Sequence, residues 1–341
     1  MLTAETLGEF RYKITLLRAI KMSVTAFMEQ HFRHFNARET LAAAQAYKQF
    51  IDDGGKMLVS LAGAMSTAEL GISLAEMIRQ DKVHAISCTA ANLEEDLFNL
   101  FAHNDYKVIT DWRALSVQDE VDLQAAGFNR VTDTCIPETV MFHMQERLTK
   151  YWIEQAEKGE GKFPYEYFFQ VLDEPELKQH YQIPIEHSWV YAAKEHGIPI
   201  VSPGAEDSTL GNMFTARVMD GTVKSHAALK SGTEQLHMLT DWYRRESKKH
   251  PIGFFQIGGG IAGDFAICAV PMLIQDLRED VRLWSYFSQI SDAVTSYGGY
   301  SGAVPNEKIT WTKLSRDCPK FMIQSDATIV APLIFAYVLG Q

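Results

Sequence analysis

The chain has 341 residues, of which 46% are hydrophobic and 22% are charged, so it can bury a large core. Its 32 basic and 43 acidic residues give a formal net charge of -11, which disfavours a nucleic-acid partner and mildly favours cationic ligands. Four cysteines lie far apart without a C-x-x-C spacing, so neither a zinc site nor a disulfide framework is expected, and a reducing cytoplasm fits best.

The first fifty or so residues are expected to form a helical extension. The opening segment, 1–20, is interrupted by charges such as Glu9 and Arg11, which predicts an amphipathic helix rather than a secretory signal. No window reaches the roughly 18 uncharged apolar residues that a membrane span needs. His31 and His34 share a helix face, but without a third ligand nearby they indicate surface or interface positions rather than a metal site.

Short apolar runs, each followed by a small-residue turn and a helical segment, recur along the chain. They occupy 57–63, 83–90, 198–204 and 253–260. This alternation predicts parallel strands with helical crossovers, in a doubly wound, mostly parallel, Rossmann-like α/β sheet. The segment 136–197 is rich in helix formers and aromatic residues, and it predicts a helical insertion that covers the sheet.

A glycine run at 258–263 satisfies the G-x-G-x-x-G pattern, after a predicted strand and at the start of a predicted helix. Such glycines let the backbone approach a pyrophosphate, and the helix N-terminus supplies amide donors. The run comes late in the chain, and glycine runs also form plain turns. Its strand and helix flanks nevertheless favour a dinucleotide ligand.

A second strand-to-helix turn places Thr89 and Ala90 at the carboxyl end of a strand, where open α/β sheets bind ligands. Glu94, Glu95 and Asp96 are expected in the first turn of the following helix. Complementation of the helix dipole, worth about 0.3–1 kcal/mol per acid, accounts for acids at such a place. Three in succession exceed that need, so we expect one of them to hold a ribose or a substrate ammonium.

Two further turns leave a structural and a ligand role open. Asp207 precedes Ser208 and Thr209, either of which can cap a helix, and for this turn cap and ligand group are equal alternatives. Residues 325–327 (Ser-Asp-Ala) follow a predicted strand at 321–324, and they indicate either an N-cap or a cofactor contact.

Lys313 lies in the stretch VPNEKITWTKL, two residues after Trp311. A lysine in water is a protonated cation, whereas one whose stem is buried can lose its proton near neutral pH and attack a carbonyl or an imine. The alternative is a surface cation at the edge of a strand. Neither a G-x-S-x-G elbow nor a P-loop is present, which argues against a serine hydrolase and a nucleoside triphosphatase.

Six segments in this order resemble the bacterial branch of the deoxyhypusine synthase family, from about residue 25 to the C-terminus. They are GAMSTAELG, CTAANLEEDLFNL, PGAEDSTLGNMF, FFQIGGGIAGDF, SYGGYSGAVPNEKITWTKL and SDATIVAPLIFA. The resemblance implies a single NAD-binding domain over 1–341, and a homotetramer with active sites at dimer interfaces. It also implies an NAD-dependent aminobutyl transferase, in which a polyamine such as spermidine is oxidised and the resulting imine passes to a lysine as a Schiff base.

The resemblance assigns roles to individual residues. Lys313 matches the covalent lysine, Trp311 matches the tryptophan that lines the polyamine channel, and an indole face suits an alkylammonium chain. Glu95 matches an essential acid near the cofactor, and Glu307 matches a substrate-binding carboxylate. The positions that match cofactor contacts are Ser66, Thr89, Ala90, Asp207, Gly258, Gly259, Ser301, Asp326 and Ala327.

Three positions that hold the polyamine in the protein-modifying branch differ here. Asn212 and Tyr300 replace aspartates, and Asp264 replaces a histidine. Thr312 and Ala90 replace glycines. We therefore expect retained chemistry on small amines, with a homospermidine-like product from spermidine or putrescine. The alternatives are modification of a translation-factor lysine, a cofactor-free Schiff-base lyase or aldolase, and a non-catalytic amine-binding or assembly protein.

Overall fold

The computed structural model describes residues 22–295 and 297–341. The amphipathic helix predicted at the start of the chain lies outside these residues. The described part of the N-terminal extension comprises α1 (Val24–His31) and α2 (Phe35–Asp52). The hydroxyl of Ser23 caps α1 by accepting the amide of Ala26, and α2 packs on the last strand and the last helix.

A six-stranded sheet in the order β6-β2-β1-β7-β8-β9 forms the centre of the molecule, and every pairing in it is parallel. Its strands are β1 (Lys56–Leu61), β2 (Ala85–Cys88), β6 (Ile200–Val201), β7 (Ile252–Ile257), β8 (Tyr286–Ser291) and β9 (Lys320–Gln324). Numbered within the sheet alone, this is the order 3-2-1-4-5-6 of a doubly wound dinucleotide-binding fold. The predicted fold class is therefore confirmed.

The strands predicted from apolar runs correspond to β1, β2, β6 and β7, and the one at 321–324 lies in β9. Strand β8 was not predicted. Its sequence, YFSQIS, carries Ser288 and Gln289 at positions that are fully buried. A search for continuous apolar runs misses a buried strand that contains polar residues, because the local sequence does not show whether a polar side chain is buried.

Helices cover both faces of the sheet. After α1 and α2 they are α3 (Gly71–Arg79), α4 (Ala90–Ala102), α5 (Val117–Ala125), α6 (Glu138–Lys158), α7 (Pro164–Leu172), α8 (Trp189–Glu195), α9 (Thr209–Met219), α10 (Gly232–Ser247), α11 (Gly260–Ile267), α12 (Ala269–Pro271), α13 (Glu307–Thr310) and α14 (Ala327–Leu339). Within the described ranges, none of the helices combines the length and the apolar character that crossing a bilayer demands.

Helices α6, α7 and α8 occupy most of the insertion predicted at 136–197. Its first two residues belong instead to a small antiparallel sheet that was not predicted, formed by β3 (Lys107–Val108), β5 (Thr134–Pro137) and β4 (Phe128–Val131), in that order. Strands of two to four residues are too short for a reliable alternating pattern.

The hydrophobic core lies on both faces of the main sheet, since successive side chains of a strand point to opposite faces. Phe255 of β7 packs with Tyr47 of α2 on one face. Phe254 packs on the other face with Trp284, whose ring also meets Tyr243 of α10 edge to face at 4.8 Å. This second cluster forms the floor under the lysine-bearing segment described below.

Candidate active site

A cleft of about 1020 Å³ opens at the carboxyl edge of the sheet. It lies at the switch point, where β1 and β7 are neighbours but their connections leave in opposite directions. The segments that line it follow β1, β7, β8 and β9, together with the turn between β4 and β5. Of the residues predicted to contact a cofactor, Gly258, Asp326 and Ala327 line this cleft.

The glycine run forms the tight turn that the sequence predicts, between β7 and α11. Gly258 has a φ of +79°, and a Cβ there would lie 2.8 Å from the Cβ of Ala62. A Cβ at Gly259 would lie 2.2 Å from the Oγ of Ser301, which accepts a hydrogen bond from the amide of Gly260. The two glycines are therefore required by close packing against Ala62, which directly follows β1, and against Ser301, and Gly258 lines the cleft.

The loop after β1 is held by Asn92 of α4, which sequence reasoning did not single out. The Asn92 amide donates to the carbonyl of Gly63 (2.9 Å) and to the hydroxyl of Thr89 (2.8 Å), and its oxygen accepts the amide of Ser66 (2.8 Å). The Ser66 hydroxyl accepts a hydrogen bond from the indole of Trp189. Ser66 and Thr89 thus shape the loop that borders the cleft.

The three consecutive acids do not lie where the sequence predicted. Helix α4 begins at Ala90, so they follow its first turn. Glu94 accepts the amides of Thr209 and Leu210 and caps α9, while Asp96 accepts the amide of Val190 and the hydroxyl of Ser188 and caps α8. Burial raises the pKa of each carboxyl to about 7. These two acids join helices rather than hold a ligand.

Glu95 differs from its two neighbours. Its carboxyl accepts only the amide of Thr67 among the described residues, at 3.3 Å, and Thr67 lines the cleft. Burial, with the charge of Glu94 as a further cause, raises the pKa of Glu95 to about 7. A carboxyl that titrates near neutrality beside a cleft is suited to accept and return a proton.

Lys313 is buried, which excludes the alternative of a surface cation. Its side chain is 7% exposed, and its Nζ lies 2.8 Å from Oδ1 of Asp264 on α11, whose side chain is 48% exposed. The lysine lies 5.4 Å from the centroid of the Tyr300 ring and 5.9 Å from that of Trp311. Lys313, Asp264 and Tyr300, together with Lys308, form what we call the lysine cluster.

The backbone before Lys313 directs it inwards. Helix α13 ends at Thr310, and Thr312 then adopts a left-handed φ of +58°, which is unusual for a β-branched residue. The amide of Lys313 donates to the carbonyl of Lys308 at 3.0 Å and closes the turn. Thr312 therefore occupies a left-handed conformation that glycine adopts without steric cost.

Tyr300 connects the lysine cluster to the glycine run. Its hydroxyl donates to Oε1 of Gln256 on β7 (2.8 Å), and the Gln256 amide donates to the carbonyl of Gly258 (3.0 Å). Burial, and next the charge of Asp264, raises the pKa of the phenol well above its usual value. Tyr300 consequently stays a neutral hydrogen-bond donor between the two parts of the site.

Lys308 was missed by sequence reasoning, and nothing in the local pattern marks it. It is 3% exposed, and its Nζ lies 4.8 Å from the ring centroids of both Phe287 and Tyr300. The nitrogen has no hydrogen-bond partner among the described residues. Burial, followed by the positive charge of Lys313, lowers the pKa of Lys308 to about 8.

Other predicted residues lie apart from the lysine cluster within one chain. Asn212, in the first turn of α9, donates to the carbonyls of Glu206 and Ser208 in the preceding turn, and Asp207 of that turn is exposed. Ser208 caps α9, so of the two roles left open for this turn its hydroxyl takes the capping role. Ala90 lines a small apolar cavity under α4 rather than the cleft.

Three more of the predicted site residues, Trp311, Glu307 and Asp326, have exposed side chains. The Trp311 side chain is 66% exposed, and Glu307 is exposed at the start of α13. Asp326 caps α14 by accepting the amide of Thr328 at 2.7 Å, so the N-cap alternative holds at this turn. The same residue borders the cleft, which leaves one of its oxygens free to meet a ligand there.

The cleft fits a dinucleotide. Its volume is that of a pocket for a large organic ligand. Its lining includes the backbone of Gly63 and Gly258, both with a positive φ that glycine adopts without strain. Ser325, Asp326 and Thr328 supply polar groups on the β9 side, and this distribution matches what a ribose and a pyrophosphate need.

Comparison with known proteins gives a consistent result. The profile described as deoxyhypusine synthase matches residues 25–338. A "Deoxyhypusine synthase-like protein" of a Nostoc species is 28% identical over 330 residues, which cover 94% of this chain and 82% of the relative. "Probable deoxyhypusine synthase 1" of Archaeoglobus fulgidus is 24% identical over 315 residues, which cover 90% of each chain.

Among solved structures, an Entamoeba histolytica protein assigned as a deoxyhypusine synthase superposes with a TM-score of 0.57. The superposition covers 92% of each chain at 12% identity, which supports the shared fold. Because the family profile spans nearly the whole described chain, the resemblance seen in the six sequence segments is confirmed, and this chain belongs to the deoxyhypusine synthase family.

Proposed function

We propose that the chain is an NAD-dependent aminobutyl transferase of polyamine metabolism, which moves a 4-aminobutyl group from spermidine or putrescine to a small amine. Membership of the family indicates a transferase. The observation that carries the rest is the burial of Lys313 against Asp264, on the helix that begins at the glycine run. A sheltered amine near a dinucleotide cleft is what transfer through a lysine imine requires.

Lys313 has a defined part in this reaction. Its neutral Nζ attacks the imine carbon of the oxidised donor, the new C–N bond forms, and the bond to the departing amine breaks as that amine takes up a proton. The product is an imine between Lys313 and the four-carbon unit. The acceptor amine then attacks the same carbon, and Lys313 leaves as a neutral amine, ready for the next cycle.

Bound NAD would accept a hydride from the donor's carbon and return it to the final imine, so that it is not consumed overall. The residues that would hold it are Gly258, Asp326 and Ala327, which line the cleft. Thr89, Gly259 and Ser301 would support them, since Thr89 bonds the carbonyl of Gly63, Gly259 packs on Ser301, and Ser301 bonds the amide of Gly260. Glu95, whose pKa is raised to about 7, would take the proton that leaves the donor nitrogen and give it back.

The donor and acceptor amines are cations before reaction, and the rim of the lysine cluster suits them. Asp264 and Glu307 are carboxylates there, and the exposed indole of Trp311 offers a π face to an alkylammonium chain. Asn212 and Tyr300 replace two aspartates of the protein-modifying branch. A site with fewer carboxylates favours a donor with fewer ammonium groups, or a different small acceptor.

Asn212 lies in the first turn of α9, where its side chain bonds only the carbonyls of Glu206 and Ser208 among the described residues, so we propose that it enters the site from a second subunit of a homotetramer. The test is to mix two inactive variants, Lys313→Ala and Asn212→Ala, under conditions that exchange subunits. If the site is shared, hybrid interfaces regain one intact site, and activity returns. Light scattering and mass spectrometry detect whether hybrid oligomers have formed. If hybrids are present and activity stays absent, the two residues do not share a site across subunits.

The function is tested by incubating the full chain with NAD and isotope-labelled spermidine or putrescine, and by identifying amine products with mass spectrometry. A new NAD-dependent amine, such as homospermidine, supports the proposal. Absence of any NAD-dependent amine product contradicts it. When a translation factor with an acceptor lysine is added, label that enters that second protein instead indicates deoxyhypusine synthase activity. Turnover without NAD indicates a Schiff-base lyase.

A further inference from the structure

The cleft assigned to the dinucleotide is lined by more acidic than basic side chains. Its acidic residues are Glu69, Asp133, Asp292 and Asp326. Arg113 is the one arginine or lysine among the described residues that line it, and His103, which also lines it, pairs with Glu69 at 2.6 Å. A pyrophosphate is strongly anionic, so a ligand that carries this group needs a cation in such a cleft.

The glycine run offers fewer backbone donors to a phosphate than its sequence motif suggests. The amide of Gly258 donates to the carbonyl of Ile290 at 2.7 Å. The amide of Gly260, in the first turn of α11, donates to the Ser301 hydroxyl at 3.1 Å. These two amides are therefore already occupied, and further positive charge for a phosphate has to come from another part of the cleft.

Arg113 is held at the cleft by its neighbour in the chain. Both Trp112 and Arg113 line the cleft from a short 3-10 turn, Trp112–Ala114, and the Arg113 Cζ lies 4.2 Å from the centroid of the Trp112 ring. Arg113 forms no ion pair with the described residues, whereas Arg130 in β4 pairs with Glu120. Stacking on an indole holds the plane of a guanidinium and leaves its N–H groups available for a bidentate contact.

We propose that Arg113, stacked on Trp112, binds the pyrophosphate of the dinucleotide and is the cation of this otherwise acidic cleft. The inference deepens the proposed function and rests on it for the identity of the ligand. The 2′-phosphate of NADP has the same chemistry. Ribose hydroxyls of a dinucleotide bind near the strand ends, however, where a phosphate would meet the carboxylates of Asp292 and Asp326, so the pyrophosphate is the group that we assign.

Calorimetric titration of the folded full chain tests this without turnover. The ligands are NAD, NADP, ADP and adenosine, which differ in the phosphate groups that they carry. Arg113→Met removes the charge, and Arg113→Lys keeps the charge but loses the planar fork. Arg316→Met is the matched control, because the Arg316 side chain is 88% exposed and lies shortly before β9, on the amino side of the strands rather than at the cleft.

Arg113→Met should weaken the binding of NAD, NADP and ADP by about 10- to 100-fold, as expected for the loss of charge-assisted hydrogen bonds, and leave adenosine binding unchanged. Arg113→Lys should retain part of the affinity, and Arg316→Met should retain all of it. Unchanged ADP affinity in Arg113→Met overturns the proposal. An equal loss for adenosine does so too, and so does a loss confined to NADP.

The contact with Trp112 is tested by a double-mutant cycle. Trp112→Ala should weaken ADP binding in the wild-type background and have little further effect in Arg113→Met, because the indole acts on the phosphate through the guanidinium. A purely structural role of Trp112 predicts the same loss in both backgrounds. Additive losses would therefore contradict the role of the stack.

A second measurement uses the unmutated chain and so does not depend on the folding of a variant. Phenylglyoxal modifies arginine side chains, and peptide mass spectrometry reads the rate at each arginine, with Arg316 as the internal reference. NAD and ADP should protect Arg113, and adenosine should not. Absence of protection by ADP, or of ADP binding, overturns the proposal. Intact protection without any aminobutyl transfer would contradict the proposed function alone, so the two failures are distinguishable.

Discussion

Lys313 and Asp264 form an ion pair at 2.8 Å although 49 residues separate them in the chain, and the lysine is buried while the carboxylate reaches the surface. The pair places a nucleophile inside the fold and its counter-ion at the entrance. An incoming ammonium group therefore meets Asp264 first, and its approach weakens the hold of the carboxylate on Lys313.

Lys313→Ala is expected to abolish transfer while sparing NAD binding, because it removes the amine that forms the covalent bond to the four-carbon unit. Transfer is measured as labelled amine product, and NAD binding by isothermal titration calorimetry. Lys313→Arg is the matched control: it keeps the positive charge beside Asp264 but lacks a nucleophilic amine, and it should be equally inactive. Product formation by either variant at more than a trace would assign the chemistry elsewhere.

Asp264→Asn should move the pH dependence of transfer to lower pH. Removing the carboxylate removes the group that stabilises the ammonium form of Lys313, so the neutral amine becomes available at a lower pH. The displacement is measured in the acid limb of the rate profile under single-turnover conditions. The same variant should bind the donor amine more weakly. A profile that moves to higher pH would contradict this role for the ion pair.

Trp311→Ala should weaken amine binding more than cofactor binding. Its indole is 66% exposed within one chain and lies beside the Lys313 side chain, so a polyamine can cover it. A cation–π contact of this kind contributes roughly 0.5–2 kcal/mol, which corresponds to about a 2- to 30-fold loss of amine affinity. Trp112→Ala is the control, since Trp112 lines the cleft and should affect NAD instead. If Trp311→Ala weakened NAD binding and Trp112→Ala weakened amine binding, Trp311 would belong to the cofactor site and Trp112 to the amine site.

The sheet was predictable to the extent that its strands are continuous apolar runs, as in β1 and β7, whose residues are almost all buried. Strand β8 and the positions of the acids at 94–96 were not predictable from the sequence, and the reason is the same for both. Gln289 donates to the carbonyl of Ser301, and Glu94 and Asp96 accept amides of helices about a hundred residues away. A polar residue satisfied by a distant partner has the same local sequence as an exposed one.

The candidate site was predictable only where a motif carries its own geometry. The glycine run does, because the packing of Gly259 on Ser301 excludes any larger residue. Lys313 was identified by resemblance and not by its pattern. Lys308 carries no motif, and its burial follows from the turn at Thr312 and the aromatic floor of Phe287, which are properties of the folded chain.

Glu95→Gln is expected to change how stability depends on pH. The folded pKa of Glu95 is raised to about 7, above its value in the unfolded chain. The carboxyl therefore contributes stability below about pH 4.5, and that contribution is lost as the pH rises through 7. Relative to Glu95→Gln, the wild-type free energy of unfolding should fall by up to roughly 3 kcal/mol between pH 4.5 and 8. Urea unfolding of both proteins measures this, and parallel pH profiles would contradict it.

Gly259→Ala should reduce both NAD affinity and stability, because its Cβ would lie 2.2 Å from the Ser301 hydroxyl and 2.7 Å from the Ser301 Cα. The second of these atoms is backbone and cannot move aside as a rotamer, so the turn between β7 and α11 must shift away from the cleft. Overpacking of this kind costs about 1–3 kcal/mol. Thermal unfolding and calorimetric NAD titration measure the two effects.

Gly232→Ala is the matched control for Gly259→Ala, since a Cβ at Gly232 meets nothing within 4 Å at the first position of α10. It should stabilise the chain by about 0.4–1 kcal/mol through the lower entropy of the unfolded state, without any effect on NAD. Ser301→Gly added to Gly259→Ala removes the hydroxyl contact but not the backbone contact, so it should restore stability only in part. Full recovery of NAD affinity in that double variant would show that the Ser301 side chain, rather than the position of the turn, limits the cofactor site.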